Sequence, residues 1–154
     1  MSTEEFNNII SYIVKRCIEL KNKYIDEKDL EIDYICIFSH TQQEYSELLK
    51  QAGKIGKIAD ETPTGPVLTF NSPSRAIVGG TKLLKIRKPD ETRFQRGDVD
   101  FNTDYENFKK KYLDDKKFTL IKREKFEMIE LKDNNFDVLV YFSSTPLSKQ
   151  LRVS

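Results

Sequence analysis

The chain has 154 residues, with 26 Lys+Arg against 25 Asp+Glu, and is 38% hydrophobic and 33% charged. That length suits one domain with a proper core and is short for two, while the near-neutral balance excludes the strongly basic signature of a dedicated nucleic-acid binder. Ten Phe and seven Tyr supply enough large side chains to exclude wholesale disorder, and no apolar stretch reaches the length of a membrane span.

The spacing of Phe6, Ile9, Ile10, Ile13, Val14, Cys17 and Ile18 predicts an amphipathic helix over residues 3–24, opened by Ser2 and Glu5 in the form of a capping box. Met1 to Glu5 is acidic and lacks the basic start and apolar centre of a signal peptide, so a cytoplasmic location is expected. Asp26 to Asp29 marks the helix exit. Ile32 to Phe38 reads as a buried strand. Thr41 and Glu44 form a second capping box, for a helix with Tyr45, Leu48, Leu49 and Ala52 inward and Gly53 at its end. A short strand is expected around Lys54 to Ala59, a turn at Thr62 to Pro66, and a strand from Val67 to Phe70. A turn at Asn71 to Ser74, a strand from Arg75 to Val78 and a Gly79-Gly80 hairpin turn then lead into a strand from Thr81 to Lys88.

After a polar loop from Pro89 to Gly97, Asp98 to Asn102 reads as a strand. Thr103 and Glu106 form a third capping box, for a helix with Tyr105, Phe108 and Tyr112 inward. Three strands follow, Phe118 to Arg123, Phe126 to Leu131 and Phe136 to Phe142, with Asp133 to Asn135 turning between the last two. The tail, residues 143–154, is polar and weakly patterned. The predicted fold class is therefore α+β in a single domain, 1–154. It comprises an N-terminal helical extension (1–28), a first βαβββ module (31–88), a second βαβββ module (98–142) and the tail.

The two cysteines, Cys17 and Cys36, each lie inside an apolar segment and read as buried reduced thiols. A Cys36/His40 nucleophile is excluded, because four residues of extended strand separate the pair by about 13 Å. His40, between a strand and a helix cap, reads as a surface turn residue. Gly79-Gly80 lacks the Lys-Ser/Thr of a phosphate-binding loop, and Lys109 to Lys111 reads as the wet side of a helix.

A βαβββ unit used twice resembles the vicinal-oxygen-chelate superfamily, which includes glyoxalase I and the extradiol dioxygenases. The leading helix and the segment Leu83-Leu84-Lys85-Ile86-Arg87-Lys88-Pro89 are similar to its YecM-type branch. The resemblance spans about residues 31–142 and implies two modules curled into one mixed sheet around a cupped space that often holds a metal. The superfamily's His or Glu ligands stand at the start of each half's first strand and on its last strand. The matching positions here are Tyr34, Lys85 or Arg87, Asp98 and a residue near Val140. One carboxylate among two cations makes a poor site even for a hard cation, so the usual metal ligands are missing and no cofactor is assigned.

The segment from Lys85 to Phe101 concentrates polar residues. Lys85 and Arg87 lie two apart on a strand and share a face, as do Asp98 and Asp100, and Arg93 and Arg96 come from the loop between. If the sheet curls, these converge on one anion, for which arginine offers bidentate hydrogen bonds. The structural alternative is a salt-bridged connection in which Arg96 pairs with Asp98. Asp98 and Asp100 as an acid/base pair is a weaker alternative, since basic neighbours would keep both ionised. Glu127 and Glu130 point to opposite faces of their strand, so one of them faces the cup.

The expected ligand-binding set is Tyr34, Lys85, Arg87, Arg93, Arg96, Asp98, Asp100 and Glu130, around a small anionic metabolite, with no role for nucleic acid or membrane. Two alternatives stand beside it. One is a non-catalytic module whose tail, Pro146 to Val153, contacts a protein partner or a second copy in a homodimer. The other is a divalent-metal-dependent enzyme of the superfamily kind.

Overall fold

The computed structural model describes residues 1–71 and 81–153. Its elements in chain order are α1 (Thr3–Tyr24), β1 (Ile32–Phe38), α2 (Gln42–Ile55), β2 (Gly56–Thr62), β3 (Gly65–Phe70), β4 (Leu83–Arg87), β5 (Gly97–Phe101), α3 (Tyr105–Tyr112), β6 (Phe118–Lys122), β7 (Glu127–Leu131), β8 (Val138–Ser143) and α4 (Leu147–Gln150). The strand expected at Arg75 to Val78, the Gly79-Gly80 turn and most of the turn from Asn71 to Ser74 lie outside the described residues.

All eight strands join one mixed sheet in the order β2-β3-β4-β1-β5-β8-β7-β6. Each half opens with a strand (β1 or β5) that pairs in parallel with its last strand (β4 or β8). The halves meet where β1 and β5 run antiparallel, with Ile35 opposite Val99. Antiparallel pairing of two like strands relates the modules by an approximate two-fold axis at that pair. In register, Tyr34 corresponds to Asp98 and Lys85 to Tyr141.

Strand alternation divides the side chains. Ile35, Ile37, Leu84, Ile86, Val99, Val138, Val140 and Phe142 point to one face, where α1, α2 and α3 cover them in the main core. Helix α1 forms because its apolar positions repeat at helical spacing and its start is closed by a complete capping box between Ser2 and Glu5. It buries Phe6, Ile10, Ile13, Cys17 and Leu20 over β1, β5 and β8.

The stripe differs from expectation at one residue. Ile18 is 37% exposed, because it lies at the edge of the stripe. Lys21, one turn beyond Cys17, continues the centre instead. Its buried ammonium is satisfied by donating to the Glu27 carbonyl at 2.9 Å and to Asn22 Oδ1 at 2.8 Å.

Three local expectations are corrected. Thr41 caps α2 by accepting from the Glu44 amide at 3.0 Å, but the Glu44 carboxylate accepts from the His40 amide at 3.2 Å instead of closing a box on Thr41. Helix α2 also runs through Gly53 to Ile55, with Gly56 as its cap; open space around Gly53 lets it sit in the helix as an ordinary residue, which moves β2 later than expected. The third box does not form. Asp104 is the N-cap of α3 without a side-chain cap bond, because its carboxylate is taken by Asn107 Nδ2 at 2.6 Å. The tail is not featureless either, since it folds into α4.

Candidate ligand-binding cup

The alternation that sends Ile35 and Ile37 to the helices sends Tyr34, Cys36 and Phe38 to the opposite face of β1. Lys85 and Arg87 follow on β4, Asp98 on β5, Met128 on β7 and Tyr141 on β8. Residues of β3 and β7, five places apart in the sheet order, line one common cavity. On a flat sheet at about 4.8 Å per strand they would stand roughly 24 Å apart, so the sheet curls around this space. The β2–β3 turn, Thr62 to Thr64, and the β6–β7 turn, Arg123 to Phe126, form opposite lips, and Leu147 and Gln150 of α4 close a third side. The cavity measures about 680 Å³, within the range of small-molecule sites.

Helix α4 is held there by a buried contact. Asp33, fully buried at an irregularity in the β1–β5 register, accepts from the Ser148 amide at 3.0 Å and from the Ser148 hydroxyl. Nothing in the tail's composition signals this, because a four-residue helix is too short to show periodicity.

One wall of the cup is cationic. Lys85 donates to Thr64 Oγ1 at 2.7 Å. Arg87 and Arg93 approach the same oxygen of Asp90 at 3.6 and 3.5 Å, and both lie beside the Phe38 ring. Asp90 is itself fixed by Thr92, whose amide and hydroxyl donate to its other oxygen at 2.9 and 2.6 Å. The arginines are thus pre-positioned by a weakly engaged carboxylate behind them, and Arg87 Nε remains buried with no partner among the described residues.

Asp98 faces this wall. It is 6% exposed, and its Oδ1 is also buried without a partner. Burial pushes its carboxyl up to about 7; Lys85, Arg93 and Arg87 pull it down, and Glu130 adds to the rise. Tyr141 donates to Glu130 Oε2 at 2.7 Å, and its phenol is raised by burial and by the charges of Asp98 and Glu130. Burial also raises Tyr34, with Asp98 and Asp100 contributing. The Cys36 thiol is pushed well up by burial and by Asp98, so it is protonated and a poor nucleophile at neutral pH. Cys17 and Cys36 are both free and buried.

Of the eight residues expected to bind ligand, five are brought together: Tyr34, Lys85, Arg87, Arg93 and Asp98. Asp100 is on the same face of β5, but it lies away from the cavity lining and accepts from Ser143 Oγ at 2.7 Å. Glu130 stands behind Tyr141, while Glu127 on the other face engages Tyr105 and Lys109. Arg96 is carried out of the cup. It precedes β5, so strand alternation does not govern it, and its guanidinium lies 4.8 Å from the Tyr12 ring of α1. No Arg96–Asp98 pair forms among the described residues. His40 is outside the cup, with Nε2 at 3.0 Å from the Gln95 carbonyl.

Next to Val140, the residue that the structure turns into the cup is Tyr141. Period-two alternation from the core residue Val140 gives that answer, a signal present in the sequence. Tyr34, Lys85, Asp98 and Tyr141 offer one carboxylate, two phenols whose pKa is raised, and an ammonium. Among the described residues no three His, Cys, Asp or Glu side chains converge as a metal centre. This donor set does not fit a divalent cation.

No family model matches the chain, and no curated protein matches it in sequence. Solved structures do match. A structural-genomics target, Protein EC4020, superposes with a TM-score of 0.74 at 11% identity, covering 97% of this chain and 91% of its own. A glyoxalase/bleomycin resistance protein/dioxygenase superfamily member from Vibrio splendidus 12B01 superposes with a TM-score of 0.50 at 9% identity, covering 75% of this chain and 98% of its own. The fold is glyoxalase-like. At such identities the likeness concerns the fold alone. The expected N-terminal helix, paired βαβββ modules and curled mixed sheet are what the chain forms. No helix among the described residues is long and apolar enough to cross a membrane.

Proposed function

We propose that the glyoxalase-like cup binds a small anionic metabolite through fixed protein cations, without a metal. The observation that carries this reading is the charge of the lining, where five cations gather around one cavity. The charge balance selects the sign. Among the described residues, Lys85, Arg87, Arg93, Arg123 and Lys125 line the space against Asp98 and Glu124. Cys36, Val67, Met128 and Leu147 provide apolar surface for a short carbon skeleton.

The superfamily's metal-dependent chemistry has no support in the donor set described above. A tail that docks a partner is also disfavoured, because Ser148 is spent on Asp33 and Leu147 faces the cavity. We further propose kinship with the YecM-type branch of the superfamily. Support comes from α1 packed over the sheet, in the place of the leading helix that the branch carries.

A thermal-shift screen against carboxylates and phosphate esters, with wild type and Arg87→Ala side by side, tests the binding reading. A ligand at a hundred times its dissociation constant stabilises the native state by about 2.7 kcal/mol. The expected outcome is an anion that raises the wild-type melting temperature and not that of Arg87→Ala, whose own melting temperature stays close to wild type. Failure of every anion to stabilise the wild type would remove the reading.

A further inference from the structure

The cations that line the cup do not stand together. Lys85 and Arg87 rise from β4, with Arg93 beside Arg87 at Asp90, and this wall adjoins the first lip through the bond from Lys85 to Thr64. Arg123 and Lys125 belong to the β6–β7 turn, the opposite lip. That turn is closed by the Arg123 amide donating to the Phe126 carbonyl at 2.8 Å. In the sheet order β4 and β7 are four places apart, about 19 Å on a flat sheet, and the curl turns both cation groups toward one space. Among the described residues, Lys85, Arg123 and Lys125 form no ion pair.

The ground between the two groups is largely apolar. Cys36, Met128 and Tyr141 belong to a second hydrophobic cluster on the cup face, with Tyr34 and Phe126 packed against it, and all five line the cavity. From this layout we propose that the cup takes an anion with two acid groups joined by an apolar spacer. One acid group meets Lys85, Arg87 and Arg93, and the other meets Arg123 and Lys125. The proposal rests on the anion-binding reading and specifies its ligand.

A single acid group reaches one set of cations and leaves the other facing the same space unmatched. Glu124, between the two lip cations, still leaves that turn with a net positive charge. Asp98 does not bar the ligand. The cations that act on it are those of the wall, and its carboxyl, raised to about 7 by burial, takes a proton more readily once an acid group lies beside it.

Isothermal titration with matched acids tests this: succinate, adipate and suberate against butyrate, hexanoate and octanoate, and hexane-1,6-diol bisphosphate against hexyl phosphate. The expected result is a diacid that binds about tenfold tighter than its monoacid, as two partly exposed ion pairs would give. The better arm tells carboxylate from phosphate. In Arg123→Gln/Lys125→Gln, both at the exposed tip of the turn, that advantage falls to within about twofold. In Lys54→Gln/Lys57→Gln, which removes the same charge from exposed positions outside the cup, it stays. Equal binding in every pair, an advantage that survives the lip substitutions, or one lost equally in Lys54→Gln/Lys57→Gln overturns the inference, while monoacids that bind keep the anion-binding reading. If no probe binds the wild type, both fall together.

Discussion

Burial and charge pull on Asp98 in opposite directions, and burial wins. Its carboxyl is raised from 3.8 to about 7 although Lys85, Arg93 and Arg87 lie around it. The unfolded chain carries this group near its ordinary value, so between the two values the folded state binds the extra proton. The group's contribution to stability is therefore fully present below pH 3.8 and is lost as the pH rises through about 7. Asp98→Asn cannot ionise and escapes that loss. It is expected to melt with wild type at pH 3, below both values, and above it at pH 8, by an amount on the order of 4 kcal/mol from the linkage relation. Thermal melts at the two pH values check this, and an equal difference at both would contradict it. Gly65 is a second residue with a sharp requirement. Its φ is +136°, and an added Cβ would lie 2.0 Å from the Ile86 carbonyl oxygen. Gly65→Ala should destabilise by about 1–3 kcal/mol for the strained dihedral alone, measured by urea unfolding; an unchanged midpoint would show that this turn relaxes freely.

Among the elements, α1 shows how far periodicity reads. Ile10 and Ile18 both fall in its apolar stripe, yet Ile10 is fully buried and Ile18 is not. The stripe's edge is decided by which side of the helix meets β1, β5 and β8, which no local pattern records. Ile10→Ala should cost about 2–5 kcal/mol and Ile18→Ala under about 1 kcal/mol in chemical denaturation. Comparable losses would mean that the helix sits differently on the sheet. Helix α4 shows the opposite limit. Its four residues carry no pattern, and it matters through Ser148 on buried Asp33. Ser148→Ala leaves one oxygen of that carboxylate without its hydroxyl donor and should lower stability by about 1–3 kcal/mol. It should also weaken ligand binding, because Leu147 and Gln150 beside it line the cup. A variant with wild-type stability and affinity would show that α4 only rests against the cup.

At the level of the whole molecule, the order of elements was legible because each is a local event: a capped helix after a strand, twice, then strands divided by turns. Which face of each strand turns inward was legible from alternation, so Tyr34, Lys85, Arg87 and Asp98 could be placed together once a curled sheet was assumed. What sequence reasoning missed is non-local. The pairing of Cys36 with both Lys85 and Asp98, the lips at Thr64 and Arg123, and the exit of Arg96 toward Tyr12 depend on register and loop path between distant residues. Two related modules meeting at Ile35 and Val99 make one cup in which Lys85 and Arg87 come from a strand of the first half and Asp98 from a strand of the second.

That division makes the claim of an anion held by fixed cations directly observable at one nitrogen. In a ¹H–¹⁵N spectrum selective for arginine Nε groups, L-malate and glycerol 3-phosphate are titrated into the protein. The account predicts that the Arg87 Nε resonance moves saturably with one of them, as its guanidinium meets the anion, while that of Arg96, beside Tyr12 of α1, stays still. An Arg87 resonance that does not respond to either anion, or one that drifts together with Arg96 without saturating, would contradict it.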